Sequence, residues 1–328
     1  LVHSQKKGSI RKAKGVETKA NVMKVQGKKI DLSDIHISKT DEKQHKVLSY
    51  MNNSTDGGYL SPQQVQSLMQ SLHLNLQELM NYLVPYATKF AISPISDFKV
   101  GAVAHGISGA IYFGANIEFQ NQALSFTVHA EQASIAHAIS YGETGIDYLA
   151  ISAAPCGYCR QFLYEITNCP STKDITILIN NESNSLSNLL PQAFGPQDLG
   201  VTTRLMLTQN NNLQMIPVHA DPFVIAAFNA ANTSYSPYTC DYSGVCLATN
   251  YGAYVGSYAE NAAFNPSMSP LEAAIVLLIM NGDSYGNIYR AILVEAKNNK
   301  CSQLSATKDV LAVAVSYTHL RAHETKAN

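Results

Sequence analysis

Apolar residues recur at near-helical spacing through residues 61–90, at Leu68, Leu72, Leu74, Leu79, Met80, Leu83 and Val84. Ser61-Pro62-Gln63-Gln64 stands ahead of them as a helix start signal. Residues 132–140 form an Ala/Ile/His run that predicts a buried helix, and 272–280 form a strongly apolar one with Glu at its start. Residues 148–153 and 291–294 are short apolar runs that predict strands, and 160–166 predicts a further helix. Gly195-Pro196 and Asn210-Asn211-Asn212 mark 196–218 as a loop or hairpin connection. Strands alternating with helices predict an α/β layered fold, a sheet with helices on its faces.

The pattern repeats. Ser93-Pro94 and Gly101 stand in the same relation as Ser236-Pro237 and Gly244, and Gly114 and Glu118 match Gly256 and Glu260. The helix 131–139 then matches 272–280, and the strand 149–152 matches 291–294, all at an offset of 141–143 residues. The predicted organisation is therefore a disordered or non-native lead over 1–47 and a small helical region over 48–90. A first core over 91–195, a connection over 196–218 and a second core over 219–314 follow. Residues 315–328 read as a translated sequencing adapter and are set aside from the fold.

Charge sharpens this picture at one end. Residues 1–46 carry twelve Lys/Arg against five Asp/Glu, although the whole chain of 328 residues has a net charge of −1. That polar, Lys-rich lead predicts disorder, and the acidic remainder argues against a nucleic-acid surface. No apolar run has membrane-spanning length, and no signal-peptide pattern is present. Of the six Cys, Cys169, Cys240, Cys246 and Cys301 are expected to be reduced and mostly buried, in keeping with a cytoplasmic protein.

The remaining two Cys carry chemistry. His129-Ala130-Glu131 and Pro155-Cys156-Gly157-Tyr158-Cys159 together give H-x-E and P-C-x-x-C, the signature of the zinc nucleobase deaminases. One imidazole and two thiolates, His129, Cys156 and Cys159, make three protein ligands for one zinc per chain, leaving its fourth position to water. Zinc lowers the pKa of that water toward about 7. Glu131, which is not a ligand, moves protons from the water to the ring nitrogen and the leaving ammonia. A C-x-x-C alone would equally fit a redox pair or half of a structural zinc site; no second ligand pair completes the latter. Both ligand groups should sit at helix N-termini, where the partial positive charge favours thiolate. Arg160 is expected to support a thiolate. Carried through the repeat, the ligand positions become Pro270, Asn298 and Cys301, so the second core should hold no zinc.

Thr127-Val128-His129-Ala130-Glu131-Gln132, Pro155-Cys156-Gly157-Tyr158-Cys159-Arg160-Gln161-Phe162 and Gly114-Ala115-Asn116-Ile117-Glu118-Phe119 resemble cytidine deaminase. Leu190-Pro191-Gln192-Ala193-Phe194-Gly195-Pro196 and Ser257-Tyr258-Ala259-Glu260-Asn261-Ala262-Ala263-Phe264-Asn265-Pro266 resemble its long-chain type, a catalytic core followed by a degenerate copy. The resemblance implies two tandem three-layer cores, each with a mixed five-stranded sheet. It implies hydrolysis of cytidine and 2′-deoxycytidine to uridine and 2′-deoxyuridine in pyrimidine salvage. It also implies that Asn116 and Glu118 hold the ribose hydroxyls and that Phe98 packs on the base. Finally it implies a homodimer whose second core, through residues 258–263, completes the partner's site. Two other readings compete: a deaminase acting on cytosine in polynucleotide, with the Lys-rich lead as an electrostatic arm, and a zinc-binding scaffold without catalysis. A carboxylate at the sugar end favours a free nucleoside over a phosphate chain, and the intact Glu131 favours an enzyme over a scaffold.

Overall fold

The computed structural model describes residues 42–53, 57–167, 174–215, 218–297 and 299–324. The lead expected over 1–47 lies outside these residues up to 41. From Glu42 it is helical: α1 (Glu42–Asn53) begins six residues ahead of the expected boundary, because Val47, Leu48 and Met51 face the core and are buried. After β1 (Tyr59–Leu60) come α2 (Pro62–Leu72) and α3 (Leu76–Ala87). Ser61 starts α2 as expected, in a capping box with Gln64. His73, in the left-handed region at φ 51°, ends α2, and Asn75 with Glu78 caps α3.

The first core comprises β2 (Gly101–Gly106), β3 (Ile111–Ala115), α4 (Ala130–Ser140), β4 (Ile146–Ile151), α5 (Gly157–Thr167), β5 (Thr176–Ile179), β6 (Glu182–Ser185) and α6 (Leu186–Leu189). Its sheet has six strands in the order β1-β3-β2-β4-β5-β6. Only β4 and β5 pair in parallel, across the α5 crossover. Every residue of β3 is buried, as a strand covered on both faces requires. Here α3 and α4 provide the cover.

The second core comprises α7 (Pro222–Asn232), β7 (Ser243–Thr249), β8 (Ala253–Ser257), α8 (Pro270–Met280), β9 (Ile288–Glu295) and α9 (Leu304–Glu324). Helices α7 and α8 cover its sheet. The expected mixed five-stranded sheet is found in the first core, as β2 to β6, and is not found among the described residues of the second. The first gains β1 from the N-terminal region, and the second, among the described residues, has three strands, β8-β7-β9, all antiparallel. Strands β5 and β6 follow α5 in the first core. The corresponding helix of the second core, α9, continues to Glu324 through the segment set aside at 315–328.

The repeat is real, and its register differs from the expected one at a single helix. Gly101 opposes Ala115 as Gly244 opposes Ser257. Gly114 lies so close to α4 that a Cβ would overlap the Ala130 carbonyl and the Ser134 amide. Gly256 meets Pro270 and Ala274 of α8 in the same way. Gly114 thus corresponds to Gly256, but Ser134 to Ala274, an offset of 140 across the helix. His129, the N-cap of α4, therefore matches Ser269 and not Pro270. Glu131 matches Leu271, and Glu272 matches Gln132, both being the N3 member of a capping box. Glu272 is thus a helix N-terminal carboxylate that caps Ser269. The two cores pack through α4 against α8.

Candidate active site

His129 ends an extended segment whose residue Val128 pairs antiparallel with Ile117, just past β3. This sets 116–118 alongside 127–129. Cys156 immediately precedes α5, and Cys159 lies in its first turn. The two sequence motifs, 27 residues apart, converge: His129 Nδ1 is 3.5 Å from Cys156 Sγ and 3.3 Å from Cys159 Sγ, and the sulfurs are 3.7 Å apart. A tetrahedral zinc with bonds of about 2.3 Å to sulfur and about 2.05 Å to nitrogen requires edges of about 3.8 Å and about 3.6 Å. The three side chains fit that ion, and among the described residues they are the one His/Cys/Asp/Glu group placed to hold a metal.

The electrostatics suit a cation. The Cys156 thiol is lowered to about 5, first by its hydrogen bond with Cys159, against the opposing effect of burial, and further by the Cys159 amide and by His129. The same bond, together with burial, raises Cys159. Burial raises Glu131, which lies in the first turn of α4 and interacts with both Cys159 and His129.

Asn116 and Glu118 are buried and hold the segment 95–100. Asn116 Oδ1 accepts the Val100 amide at 2.8 Å, and its Nδ2 donates to the Phe98 carbonyl at 2.9 Å. Glu118 accepts the Ile95 and Ser96 amides at 2.8 and 3.0 Å and the Ser96 hydroxyl. Burial pushes the Glu118 carboxyl up, but these bonds outweigh it and keep the pKa below its ordinary value. Glu260 repeats this arrangement on the Tyr238 and Thr239 amides and the Thr239 hydroxyl. The carboxylate therefore has a structural duty in both cores. Phe98 is 61% exposed and is no core residue.

Three expectations are corrected. Arg160 donates to the Pro155 carbonyl and to the Leu189 carbonyl at the end of α6 rather than to a thiolate, so its guanidinium is committed to backbone acceptors. Cys240 and Cys301 are exposed; only Cys246 is buried, inside β7, and Cys169 lies outside the described residues. Cys301 precedes α9 instead of entering its first turn and faces Asp241 and Thr239, so it does not stand where Cys159 does. The loop 258–263 is buried as far as Ala262 within its own chain, packed on α5. There Asn261 Nδ2 donates to the Gln161 carbonyl at 2.9 Å, and the Ala262 amide donates to Glu165 at 3.0 Å. Ala263, Phe264 and Asn265 are exposed. Sequence reasoning missed Glu165, a fully buried acceptor for Tyr235, Tyr238 and Ala262. Its signal was a lone carboxylate on the apolar side of α5.

Residues 74–171 and 186–308 each match the family described as the cytidine and deoxycytidylate deaminase zinc-binding region. The cytidine deaminase of Photobacterium profundum is 44% identical over 77% of this chain and 84% of that protein. That of Photorhabdus laumondii is 42% identical over 82% and 90%. Among solved structures, cytidine deaminase from Mycobacterium tuberculosis is 30% identical over 37% of this chain and 98% of that one, with a TM-score of 0.33.

Proposed function

We propose how this chain, which belongs to the cytidine deaminase family and is a zinc-dependent hydrolase, removes the amine of cytidine: His129, Cys156 and Cys159 hold the zinc, and Glu131 moves the protons. The reaction takes up water and gives uridine and ammonia. Zinc supplies a water acidified to about pKa 7. Glu131 delivers a proton to N3 of the base and another to the departing amine, and the burial that raises its pKa lets it hold that proton between transfers. The observation that carries this reading is the His129/Cys156/Cys159 triangle, whose edges match a tetrahedral zinc.

Asn116 and Glu118 are assigned to the ribose and Phe98 to the base. Support comes from spare hydrogen-bonding capacity. A carboxylate offers about four lone-pair sites and Glu118 uses three, while Asn116 uses one donor and one acceptor position. The reading extends to 2′-deoxycytidine, which presents the same base to Glu131 and a 3′ hydroxyl to Asn116 and Glu118. The catalytic core is taken as 91–195 and the degenerate core as 219–314.

The chain is assigned to a homodimer in which the second core completes the partner's site through the exposed residues Ala263, Phe264 and Asn265. Exposed Phe98, Leu124 and Phe264 support an apolar contact. Light scattering should give twice 35.6 kDa. A cytoplasmic place in nucleoside salvage is assigned, where a reducing compartment keeps the ligand thiols from pairing as a disulfide. Among the described residues no helix is long and apolar enough to cross a membrane.

The test is Glu131→Gln. Zinc should stay at the wild-type level while turnover of cytidine falls by at least about a hundredfold; unchanged turnover would refute the proton-transfer role.

A further inference from the structure

The second core does not carry the ligand set of the first, yet one of its turns reaches residues beside those ligands. Tyr158 stands between Cys156 and Cys159, its ring 5.4 Å from the His129 imidazole. Its hydroxyl donates to the Asn265 carbonyl at 3.0 Å. Gln132 is buried. Its Oε1 accepts the His129 amide at 3.3 Å, and its Nε2 donates to the Pro266 carbonyl at 3.2 Å. Two consecutive backbone carbonyls of the second core thus receive the two side chains that flank the metal group, one from each ligand-bearing helix.

The turn that presents those carbonyls is built stiffly. Phe264 takes a left-handed conformation at φ 62° and donates its amide to the Asn261 carbonyl at 2.9 Å. The Asn261 amide donates to Ser267 Oγ at 3.0 Å, and Asn261 Oδ1 accepts the Ala263 amide at 3.0 Å. The far side of the turn is fixed to α5 through Asn261, Gln161 and Glu165. The turn is therefore anchored on α5 and touches residues beside both metal motifs, so it spans the junction between α4 and α5. A carbonyl fixed by backbone geometry tolerates loss of the second core's own ligands, since no side chain of the turn is needed at the metal.

We infer that the degenerate core acts within its own chain as a strut for the metal centre, with Tyr158 and Gln132 as positioning residues clasped by the Asn265 and Pro266 carbonyls. The inference rests on the metal reading above. It gives the turn 261–266 a function in a core without ligands. Outer residues that orient metal ligands typically change metal affinity by about 10- to 100-fold when altered.

The test uses the full chain loaded with zinc and follows zinc release to a colorimetric chelator in Tyr158→Phe, Asn261→Ala and wild type. Tyr158→Phe keeps the ring and removes only the hydroxyl. Asn261→Ala loosens the turn in the second core without contacting a ligand. Both should release zinc at least about tenfold faster than wild type, while Tyr158→Phe leaves the thermal midpoint of the metal-free protein within a few degrees, a pattern that general destabilisation does not give. If Asn261→Ala fails to fold, Tyr158→Phe decides alone. Release from Tyr158→Phe equal to wild type overturns the strut. A wild-type chain that binds no zinc overturns the metal reading, and the strut with it, so the two failures are distinguishable.

Discussion

Glu272→Gln should stabilise the protein at pH 8 and do nothing at pH 4.5. Glu272 is the N3 residue of α8, where its Oε2 accepts the Ser269 amide at 2.8 Å. The helix terminus favours a carboxylate there, but the site is buried, and burial raises the carboxyl from 4.5 to about 7. The first core uses Gln132 at the equivalent position, so an amide fits the same cap. The native state therefore holds its proton where the unfolded chain has released it. Stability from this group is fully present below about 4.5 and is lost as pH rises through about 7. Ionised in both states, the buried carboxylate costs about 3 kcal/mol. Gln keeps the acceptor for the Ser269 amide and carries no charge. In urea unfolding at fixed zinc concentration, the variant should exceed wild type by about 3 kcal/mol at pH 8 and match it at pH 4.5. A difference that is the same at both pH values, or a variant less stable at pH 8, would refute the reasoning.

Two further outcomes follow from named contacts. Gly114→Ala places a Cβ into the Ala130 and Ser134 backbone, which cannot rotate aside; α4 must move and carry His129 with it. The cost should be about 1–3 kcal/mol in urea unfolding, with a greater proportional loss of bound zinc, read by metal analysis. Glu165→Leu removes the acceptor shared by the buried Tyr235 hydroxyl, the half-buried Tyr238 hydroxyl and the buried Ala262 amide between the cores. It should destabilise by about 3–5 kcal/mol, and a loss below about 1 kcal/mol in the same assay would show that this clasp is dispensable.

The metal-holding group was legible in the sequence because its chemistry needs fixed residue types at short spacing. His129, Glu131, Cys156 and Cys159 each lie within a motif, and the apolar runs on either side have helix or strand period. The α8 register was not legible. Glu131 and Glu272 invite pairing by type, whereas the true offset is set by where Gly114 and Gly256 let a helix approach, a fact of packing. The start of α1 at Glu42 escaped because three buried residues, Val47, Leu48 and Met51, sit at the end of a charged stretch. The clasp of Tyr158 and Gln132 by the 265–266 carbonyls could not be read from side-chain types, since the acceptors are backbone atoms more than a hundred residues away.

The central claim is that this chain deaminates the free nucleoside at one zinc site. The most direct measurement follows the absorbance of cytidine, and separately single-stranded DNA, with the purified chain, alongside its zinc content. About one zinc per chain with rapid conversion of cytidine to uridine and no action on DNA is the predicted result. Zinc without turnover of cytidine, or deamination confined to DNA, would contradict the account.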